Sequence, residues 1–483
     1  MKMLKYSLII LVVFMTVSIT LLAQNKEIPI TTSSKEALTF FMDGQDKFLN
    51  NEFVAAAISF DNAIQKDPNF AMAYLFRALS GGGFDITRKN LDKAVSLMSK
   101  VSEGEKTMIQ YIQSSIDGNG QKQKEYLDLL LKNFVSDKVV QSFAGNYYYA
   151  IGDYKTALNH FNATMDLDKN LGFAYNMIGY CQSGLENYPE AEKAFQTYIK
   201  FNPEKGNPYD SYGELLLKIG KYNESIAQYK KAVEKDPVNF VGSLSGIGDN
   251  YLFKGDYETA RKYYQEYFDK APLNTYKLGA LFQKATSYLY EGKTGSSIKA
   301  FDEYIALAER ENLKIGVING TGYQGFILTE TGNPTEGMKY FDKVTDLVNK
   351  SSLSEADKEN YMTGSLMQHF YALTASGKID QASSESEKCK TKIESRKNPD
   401  EEMQFNGLMA LYEIKKGNNT KAIEYFAKAA QNEPLNWYYK AIALKNNGDK
   451  QSASKLFEKV TKLNINSMGL ALVRERAFNE LKK

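Results

Sequence analysis

The fold of this chain is decided by a short stretch, IGDYKTA at residues 151–157, because its central tyrosine returns at a fixed distance. Tyrosines stand at Tyr154, Tyr188, Tyr222 and Tyr257, so the steps between them are 34, 34 and 35 residues. A period of this size indicates a repeat architecture, in which each repeat packs mainly against its neighbours. The period therefore has to be settled before any local motif is interpreted.

Other positions keep the same period. Each tyrosine is preceded by a glycine nine residues earlier and followed by a small residue three later and an aromatic residue four after that. The glycines are Gly145, Gly179, Gly213 and Gly248, the small residues Ala157, Ala191, Ser225 and Ala260, and the aromatic residues Phe161, Phe195, Tyr229 and Tyr264. Prolines close three of the four repeats, at Pro203, Pro237 and Pro272. Because proline cannot continue a helix, each proline is expected to end a helix and to start the turn to the next repeat.

This pattern resembles the tetratricopeptide repeat, a pair of antiparallel helices that stacks on the next pair. The resemblance implies an all-α, right-handed superhelical solenoid, and the framing gives about twelve helix pairs. A final helix over residues 466–483 is expected to cap the last pair, since the end of a solenoid otherwise exposes an apolar face. The tyrosines are expected at the start of each second helix, packed against the hairpin partner.

The regularity of the repeat motif divides the chain into four predicted blocks. Residues 36–136 hold partly degenerate repeats, residues 138–275 the regular block, residues 276–399 longer degenerate repeats, and residues 400–483 the last repeats with the capping helix. Nearly all of the chain after the N-terminus is therefore predicted to be helical repeat.

The N-terminus has a different composition. Lys2 and Lys5 precede a mostly apolar run over residues 6–23, and no charged residue follows until Lys26. A basic start, an apolar middle and a small final residue are typical of a secretory signal. Residues 1–23 are therefore predicted to be a signal peptide cleaved before Gln24, which places the protein in the periplasm or cell envelope of a bacterium. An uncleaved N-terminal membrane anchor is the alternative; after cleavage no stable membrane insertion is expected.

Residues suited to catalysis or metal binding are few. The chain has two histidines, His160 and His369, and two cysteines, Cys181 and Cys389. Neither histidine has a second metal-ligating residue at helical spacing, and no nucleophile, phosphate-loop or dinucleotide motif is present. We predict no enzyme activity, no metal site, no cofactor and no disulfide. An enzyme with an unrecognised site, using His160, His369 or Cys181, remains an alternative.

Charge also limits the partners. Lys and Arg number 60 and Asp and Glu 58, a formal net charge of +2, and no basic cluster stands out. Nucleic acid is therefore not an expected partner.

The resemblance places binding on a concave groove lined by the first helix of each pair, at slots about three residues before and one after the motif glycine. The slots hold polar residues, acidic residues and tyrosines: Ser142, Asn146, Tyr149, Asn176, Tyr180, Asp210, Glu214, Ser245 and Asp249. Amides and hydroxyls can hydrogen-bond a peptide backbone, and tyrosine adds stacking area. Some members of the family grip a carboxylate through lysine in these slots. Lysine is absent here, so an acidic peptide tail is expected to be repelled.

These observations predict an exported, non-enzymatic scaffold that binds partner proteins or extended peptides in a polar groove. A periplasmic carrier for a small molecule or glycan is the alternative from another class.

Overall fold

The computed structural model describes residues 27–50, 52–169 and 171–483, so the predicted signal peptide lies outside the described residues. Within those ranges the chain forms 25 α-helices and no strand. No helix there combines the length and the apolar character needed to cross a bilayer. The all-α prediction is confirmed.

The helices follow one another as antiparallel pairs joined by short turns. The first five pairs are α1 (Lys35–Leu49) with α2 (Phe53–Lys66), α3 (Ala71–Leu79) with α4 (Phe84–Ser96), α5 (Glu103–Ile116) with α6 (Gly120–Asn133), α7 (Lys138–Ala150) with α8 (Tyr154–Leu167), and α9 (Gly172–Gly184) with α10 (Tyr188–Phe201). A 3₁₀ turn, Met98–Lys100, follows α4.

Seven further pairs and a last helix complete the chain. The pairs are α11 (Asn207–Lys218) with α12 (Tyr222–Lys235), α13 (Ser243–Phe253) with α14 (Tyr257–Lys270), α15 (Asn274–Tyr290) with α16 (Thr294–Arg310), α17 (Lys314–Glu330) with α18 (Pro334–Lys350), α19 (Glu355–Ala375) with α20 (Ile379–Arg396), α21 (Pro399–Lys415) with α22 (Asn419–Phe426), and α23 (Pro434–Asn446) with α24 (Lys450–Lys462); the last helix is α25 (Met468–Leu481). Twelve pairs and a terminal helix are what the repeat framing predicted.

Most turns within a pair contain a residue with positive φ. Glycine supplies it in most pairs, for example Gly152 (φ 79°) and Gly220 (φ 79°), because glycine reaches this region without steric cost. One residue separates this glycine from the second helix, which begins on the repeat tyrosine, for example at Tyr154 and Tyr222. In the α9–α10 turn Glu186 occupies the same position with φ 59°.

The motif glycine and the motif aromatic residue are packing partners. A Cβ on Gly145 would lie 2.5 Å from Phe161 Cε1, and one on Gly248 would lie 2.5 Å from Tyr264 Cε1. No real Cβ approaches another carbon so closely, so the ring occupies the space that a side chain would take. Phe161 is fully buried by this contact and its neighbours.

The repeat tyrosines do more than pack within their own pair. A Cβ on Gly184, at the end of α9, would lie 2.7 Å from the ring of Tyr154, and the Tyr257 hydroxyl donates to the carbonyl of Tyr290 at the end of α15 (3.2 Å). Both tyrosines therefore contact the first helix of the following pair. They join successive pairs as well as the helices of one hairpin.

Contacts in space divide the chain into two compact units. The N-terminal unit contains the residues up to Ser115 together with Lys122–Pro203, and the C-terminal unit contains Ile116–Gln121 together with Glu204–Lys483. These units are defined by contacts, whereas the four predicted blocks are defined by how strictly the motif is kept.

Candidate functional site

In the N-terminal unit the predicted binding slots lie on α7 and α9. Asn146 is exposed, whereas Ser142 is buried and its hydroxyl donates to the carbonyl of Lys138 one turn earlier (2.7 Å). The rings of Tyr149 and Tyr180 are half-buried and 6.4 Å apart, edge to face. Asn176 is fully buried, and its side-chain amide has no hydrogen-bond partner.

Part of this face is covered by the C-terminal end of α1. Leu49 joins the apolar cluster of Phe161, Phe173 and Cys181, and Phe48 and Tyr149 pack against that cluster. The first pair of the unit therefore reaches the fourth and fifth pairs. A segment from within the chain occupies space that the groove hypothesis reserved for a partner.

In the C-terminal unit the slots lie on α11 and α13. Glu214 is exposed, while Asp210, Ser245 and Asp249 are half-buried. The Ser243 hydroxyl donates to Asp210, and the Tyr264 hydroxyl donates to Asp249 Oδ1 at 2.7 Å. This part of the strip brings three carboxylates into one electrostatic group, because the charge of Glu214 acts on both aspartates.

The two aspartates of this group resist ionisation. Burial raises the pKa of Asp249 to about 7, against the opposing effect of hydrogen bonds from Asn466 and Tyr264, and the charge of Glu214 adds to the rise. Burial likewise raises the pKa of Asp210 to about 6, with the Ser243 hydrogen bond opposing and Glu214 adding. Both aspartates are half-buried rather than sealed from water, and the causes of their shifts include no basic side chain.

The chain's own C-terminal segment, defined as residues 463–483, lies against the first helices of this unit. Before α25 begins, residues 463–467 form no helix or turn, the backbone is extended at Leu463 and Ser467, and Asn466 Nδ2 donates to Asp249 Oδ1 (2.7 Å). Tyr222 donates its hydroxyl hydrogen to Asn464 Oδ1 (3.1 Å), and Tyr290 donates to the carbonyl of Ser467 (3.3 Å). A non-helical segment of the chain is thus already bound by the slot residue Asp249 and by two repeat tyrosines.

The helix that follows buries apolar side chains on both sides. Met468 and Leu472 belong to the cluster formed by α15, α16 and α17, whereas Leu470 and Val473 belong to the cluster formed by α23 and α24. Helix α25 therefore caps the last pair, as predicted, and also packs on first helices of earlier pairs. Since a fully buried Leu or Val contributes about 1.5–3 kcal/mol, this helix is part of the fold rather than a readily released ligand.

A buried carboxylate fixes the far end of α25. The Glu330 side chain, at the end of α17, is 1% exposed, and Arg476 Nη1 lies 2.9 Å from its Oε2. The hydroxyls of Tyr371 and Tyr439 also donate to this carboxylate, the latter at 2.9 Å. A charge buried so completely needs this set of donors.

The residues proposed for the enzyme alternative are held in structural roles. Cys181 is fully buried, and burial raises the pKa of its thiol to about 12, so the reactive thiolate is scarce at neutral pH. His160 stacks on Tyr148, its Nδ1 lies 2.8 Å from Gln141 Oε1, and burial lowers its pKa.

His369 lies near Ser365 and Asp342, a combination that invites comparison with a nucleophile–base–acid triad. Its Nδ1 lies 2.7 Å from the Ser365 carbonyl and its Nε2 lies 2.9 Å from Asp342 Oδ1. The shorter contact of Nδ1 is with the Ser365 carbonyl, whereas the Ser365 hydroxyl oxygen lies 3.5 Å from it. Among the described residues no group of three or more His, Cys, Asp or Glu side chains is arranged to hold a metal ion.

Sequence reasoning missed the contacts of Asn464, Asn466 and Arg476 with earlier repeats, including the contact of Asn466 with Asp249 in the predicted strip. The only available signal was that residues 463–467 interrupt the helical spacing before a helix whose small and apolar positions cover more than one face. Nothing in that signal names Asp249 or Glu330 as the partner.

Comparison with known proteins agrees with this architecture. A family model described as tetratricopeptide repeat matches residues 174–205, 207–239 and 241–269. A TPR repeat-containing protein of Methanocaldococcus jannaschii is 23% identical over 237 residues, which are 40% of this chain and 41% of that protein. Hsp70-Hsp90 organizing protein 3 of Arabidopsis thaliana is 32% identical over 89 residues, 18% of this chain and 16% of that protein. The chain thus spans less than half the length of each of these relatives.

A solved tetratricopeptide repeat protein from Parabacteroides merdae is 16% identical, with a TM-score of 0.36 over 56% of this chain and 92% of that one. The matched residues 174–269 coincide with helices α9 to α14, where the tyrosine period is strictest. This segment of the chain consists of tetratricopeptide repeats.

Proposed function

We propose that this protein is a non-enzymatic scaffold that binds an extended polypeptide segment on the face formed by the first helices of its pairs. The observation that carries the proposal is the binding of residues 464–467, which form no helix or turn and are hydrogen-bonded by Tyr222, Asp249 and Tyr290. The contacts of the chain's own segment support the proposal that a partner segment binds to neighbouring slots in the same way. Among the relatives, Hsp70-Hsp90 organizing protein 3 has a name that refers to the organisation of other proteins.

Two exposed slots mark where a partner would touch. Asn146 on α7 and Glu214 on α11 are exposed on first helices, one in each unit. An amide and a carboxylate suit hydrogen bonding to peptide groups and to donor side chains. Because both are exposed, they can be changed with little effect on folding.

The test begins with selection of binders to the full chain from a library of random twelve-residue peptides. Affinities of the selected peptides are then measured by fluorescence anisotropy against Asn146→Arg and Glu214→Arg. Matched controls are Asn159→Arg and Glu224→Arg, which change exposed residues on the second helices α8 and α12. We expect at least one first-helix variant to weaken binding about tenfold or more, with both controls unchanged. Failure to select any peptide, or equal binding by all four variants, contradicts the proposal.

The scaffold is exported, and its binding partners belong to the cell envelope. Support comes from Lys2 and Lys5 followed by the apolar run at residues 6–23. Mass spectrometry of the chain produced in a bacterial host measures the outcome: a mature N-terminus at Gln24 supports export, and a protein that retains Met1 in the cytoplasm contradicts it.

A further inference from the structure

A buried side-chain amide on α9 has no partner. Asn176, one of the predicted binding slots, is fully buried, and neither the oxygen nor the nitrogen of its amide makes a hydrogen bond. Buried amides are almost always paired, because an unpaired polar group has lost its bonds to water and gained none in return. Whatever covers this slot therefore fits it poorly.

The end of α1 lies over the same part of α9. Gly172 stands one turn before Asn176 on the same side of the helix, and a Cβ on Gly172 would lie 2.7 Å from the ring of Tyr198. The hydroxyl of that ring donates to Oδ1 of Asn50, the residue that ends α1 (3.4 Å). Asn50 Nδ2 donates to the carbonyl of Asp46 in its own helix (2.9 Å). The end of α1 thus closes the start of α9 without pairing with Asn176.

A second unpaired amide lies at the same place. Nδ2 of Asn202, directly after α10, is buried and has no hydrogen-bond partner. A Cβ on Gly172 would lie 1.9 Å from this nitrogen, so Asn202 reaches the same stretch of α9. Two donor nitrogens and one acceptor oxygen are therefore unpaired around the start of this helix. A peptide group, which has one C=O and one N–H, matches that set.

Apolar contacts hold the end of α1 over α7 and α9, while other residues hold the body of the helix. Leu49 belongs to the apolar cluster that contains Phe161. Phe41, two turns earlier, packs instead on Phe60 of α2 and Phe76 of α3. The gain from burying one leucine is of the same order as the cost of an unpaired amide. The last turn of α1 can therefore leave its position while the rest of the helix stays on its own pair.

We infer that the last turn of α1, residues 47–50, is a displaceable plug, and that a partner segment with an aliphatic side chain takes the place of Leu49 on α7 and α9. The inference rests on the proposed function and adds regulation at the same face. The partner's side chain fills the space that Leu49 leaves, and its peptide groups pair with Asn176. Since a site that is open in only a fraction of the molecules binds with an affinity reduced by that fraction, the free chain inhibits its own binding.

Weakening the plug should therefore raise the affinity. Fluorescein-labelled peptides selected from the random library against the full chain are sorted by their loss of binding to Asn146→Arg, which identifies those that use α7. Their affinities are then measured for Leu49→Ala. Leu97→Ala is the matched control, because Leu97 is a similarly buried leucine directly after α4 in the same unit. We expect about tenfold tighter binding to Leu49→Ala, which corresponds to a plug open in about one molecule in ten, and unchanged binding to Leu97→Ala.

A second measurement follows the plug itself in the full chain. Leu49→Cys is treated with iodoacetamide with and without a selected peptide, and mass spectrometry locates the label, so that reaction at the native Cys181 and Cys389 is counted separately. The peptide should accelerate labelling at position 49 about tenfold. Ala37→Cys, at a buried position earlier on the same helix, should react at an unchanged rate. If Leu49→Ala shows no cooperative melting curve, the labelling result alone decides.

Equal binding by Leu49→Ala and the unaltered chain overturns this inference and leaves the proposed function standing. Labelling at position 49 that the peptide slows or leaves unchanged does the same. So does a set of peptides that depends on Glu214 but never on Asn146. The absence of any bound peptide overturns both proposals.

Discussion

At the scale of single residues, Glu186 is the exception among the turns of the regular block. Gly152, Gly220 and Gly255 occupy the equivalent positions with φ between 79° and 83°, whereas Glu186 adopts φ 59° with a side chain present. A left-handed conformation costs a non-glycine residue about 1 kcal/mol. Glu186→Gly is therefore expected to raise the free energy of unfolding by about 0.5–1 kcal/mol, measured by urea denaturation followed by circular dichroism.

Two variants separate backbone strain from the loss of the Glu186 charge. Glu186→Ala removes the charge and keeps a Cβ, so it should not reproduce the gain. Gly152→Ala introduces the same strain where a new Cβ meets nothing within 4 Å, and it should destabilise by about 1 kcal/mol. Equal effects of the glycine and alanine replacements at 186 would rule out the backbone explanation.

The glycine–aromatic pair gives a second prediction at this scale. Since a Cβ on Gly145 would lie 2.5 Å from Phe161, Gly145→Ala should cost about 1–3 kcal/mol through overpacking. In a Phe161→Leu background the smaller side chain leaves room, so the added cost of Gly145→Ala should fall. A double-mutant cycle from urea denaturation measures this coupling, and strict additivity would contradict the packing account.

The same pair shows why the repeats were predictable from sequence. Glycine and its aromatic partner are 16 residues apart within one hairpin, so their spacing recurs in every repeat of the regular block and records the contact directly, as at Gly145 with Phe161 and Gly179 with Phe195. The contacts of Arg476 with Glu330 and of Asn466 with Asp249 span 146 and 217 residues. They occur once, so no periodicity encodes them, and the sequence predicted α25 as a cap without its second set of contacts.

At the scale of elements, the attachment of α25 depends on one ion pair. Arg476→Ala leaves the Glu330 carboxylate, whose side chain is 1% exposed, with tyrosine donors but no counter-charge. Removing one partner of a buried pair costs about 3–5 kcal/mol, and the remaining tyrosine hydroxyls place the expected loss near 3 kcal/mol. Urea denaturation followed by the fluorescence of Trp437, the single tryptophan, reads this loss within the C-terminal unit.

Charge rather than packing is the proposed cause, and a second change tests it. Adding Glu330→Gln to Arg476→Ala removes the unpaired charge and should recover part of the stability. Glu475→Ala, at the exposed neighbouring position, is expected to change stability by less than about 0.5 kcal/mol. If the double variant is no more stable than Arg476→Ala alone, the loss arises from the arginine's packing.

At the scale of the whole molecule, a chain of stacked pairs does not unfold as one cooperative body, so a stability has to be assigned to the part that reports it. Trp437 lies in the C-terminal unit, which also contains the carboxylates of Asp210 and Asp249. Their folded-state pKa values, about 6 and about 7, exceed the ordinary value of 3.8. At a pH between 3.8 and these folded-state pKa values, the folded unit therefore binds more protons than the unfolded chain.

Protons retained by the folded state make stability fall as pH rises. The contribution of Asp249 is fully present below about pH 4 and is lost as the pH passes its folded-state pKa of about 7. Asp249→Asn keeps an acceptor for the Tyr264 hydroxyl and cannot ionise. Its stability relative to the unaltered chain should therefore increase from pH 5 to pH 8 in urea denaturation followed by Trp437 fluorescence. Asp269→Asn, at an exposed position on α14, should show no such trend, and a pH-independent difference for Asp249→Asn would refute the electrostatic cause.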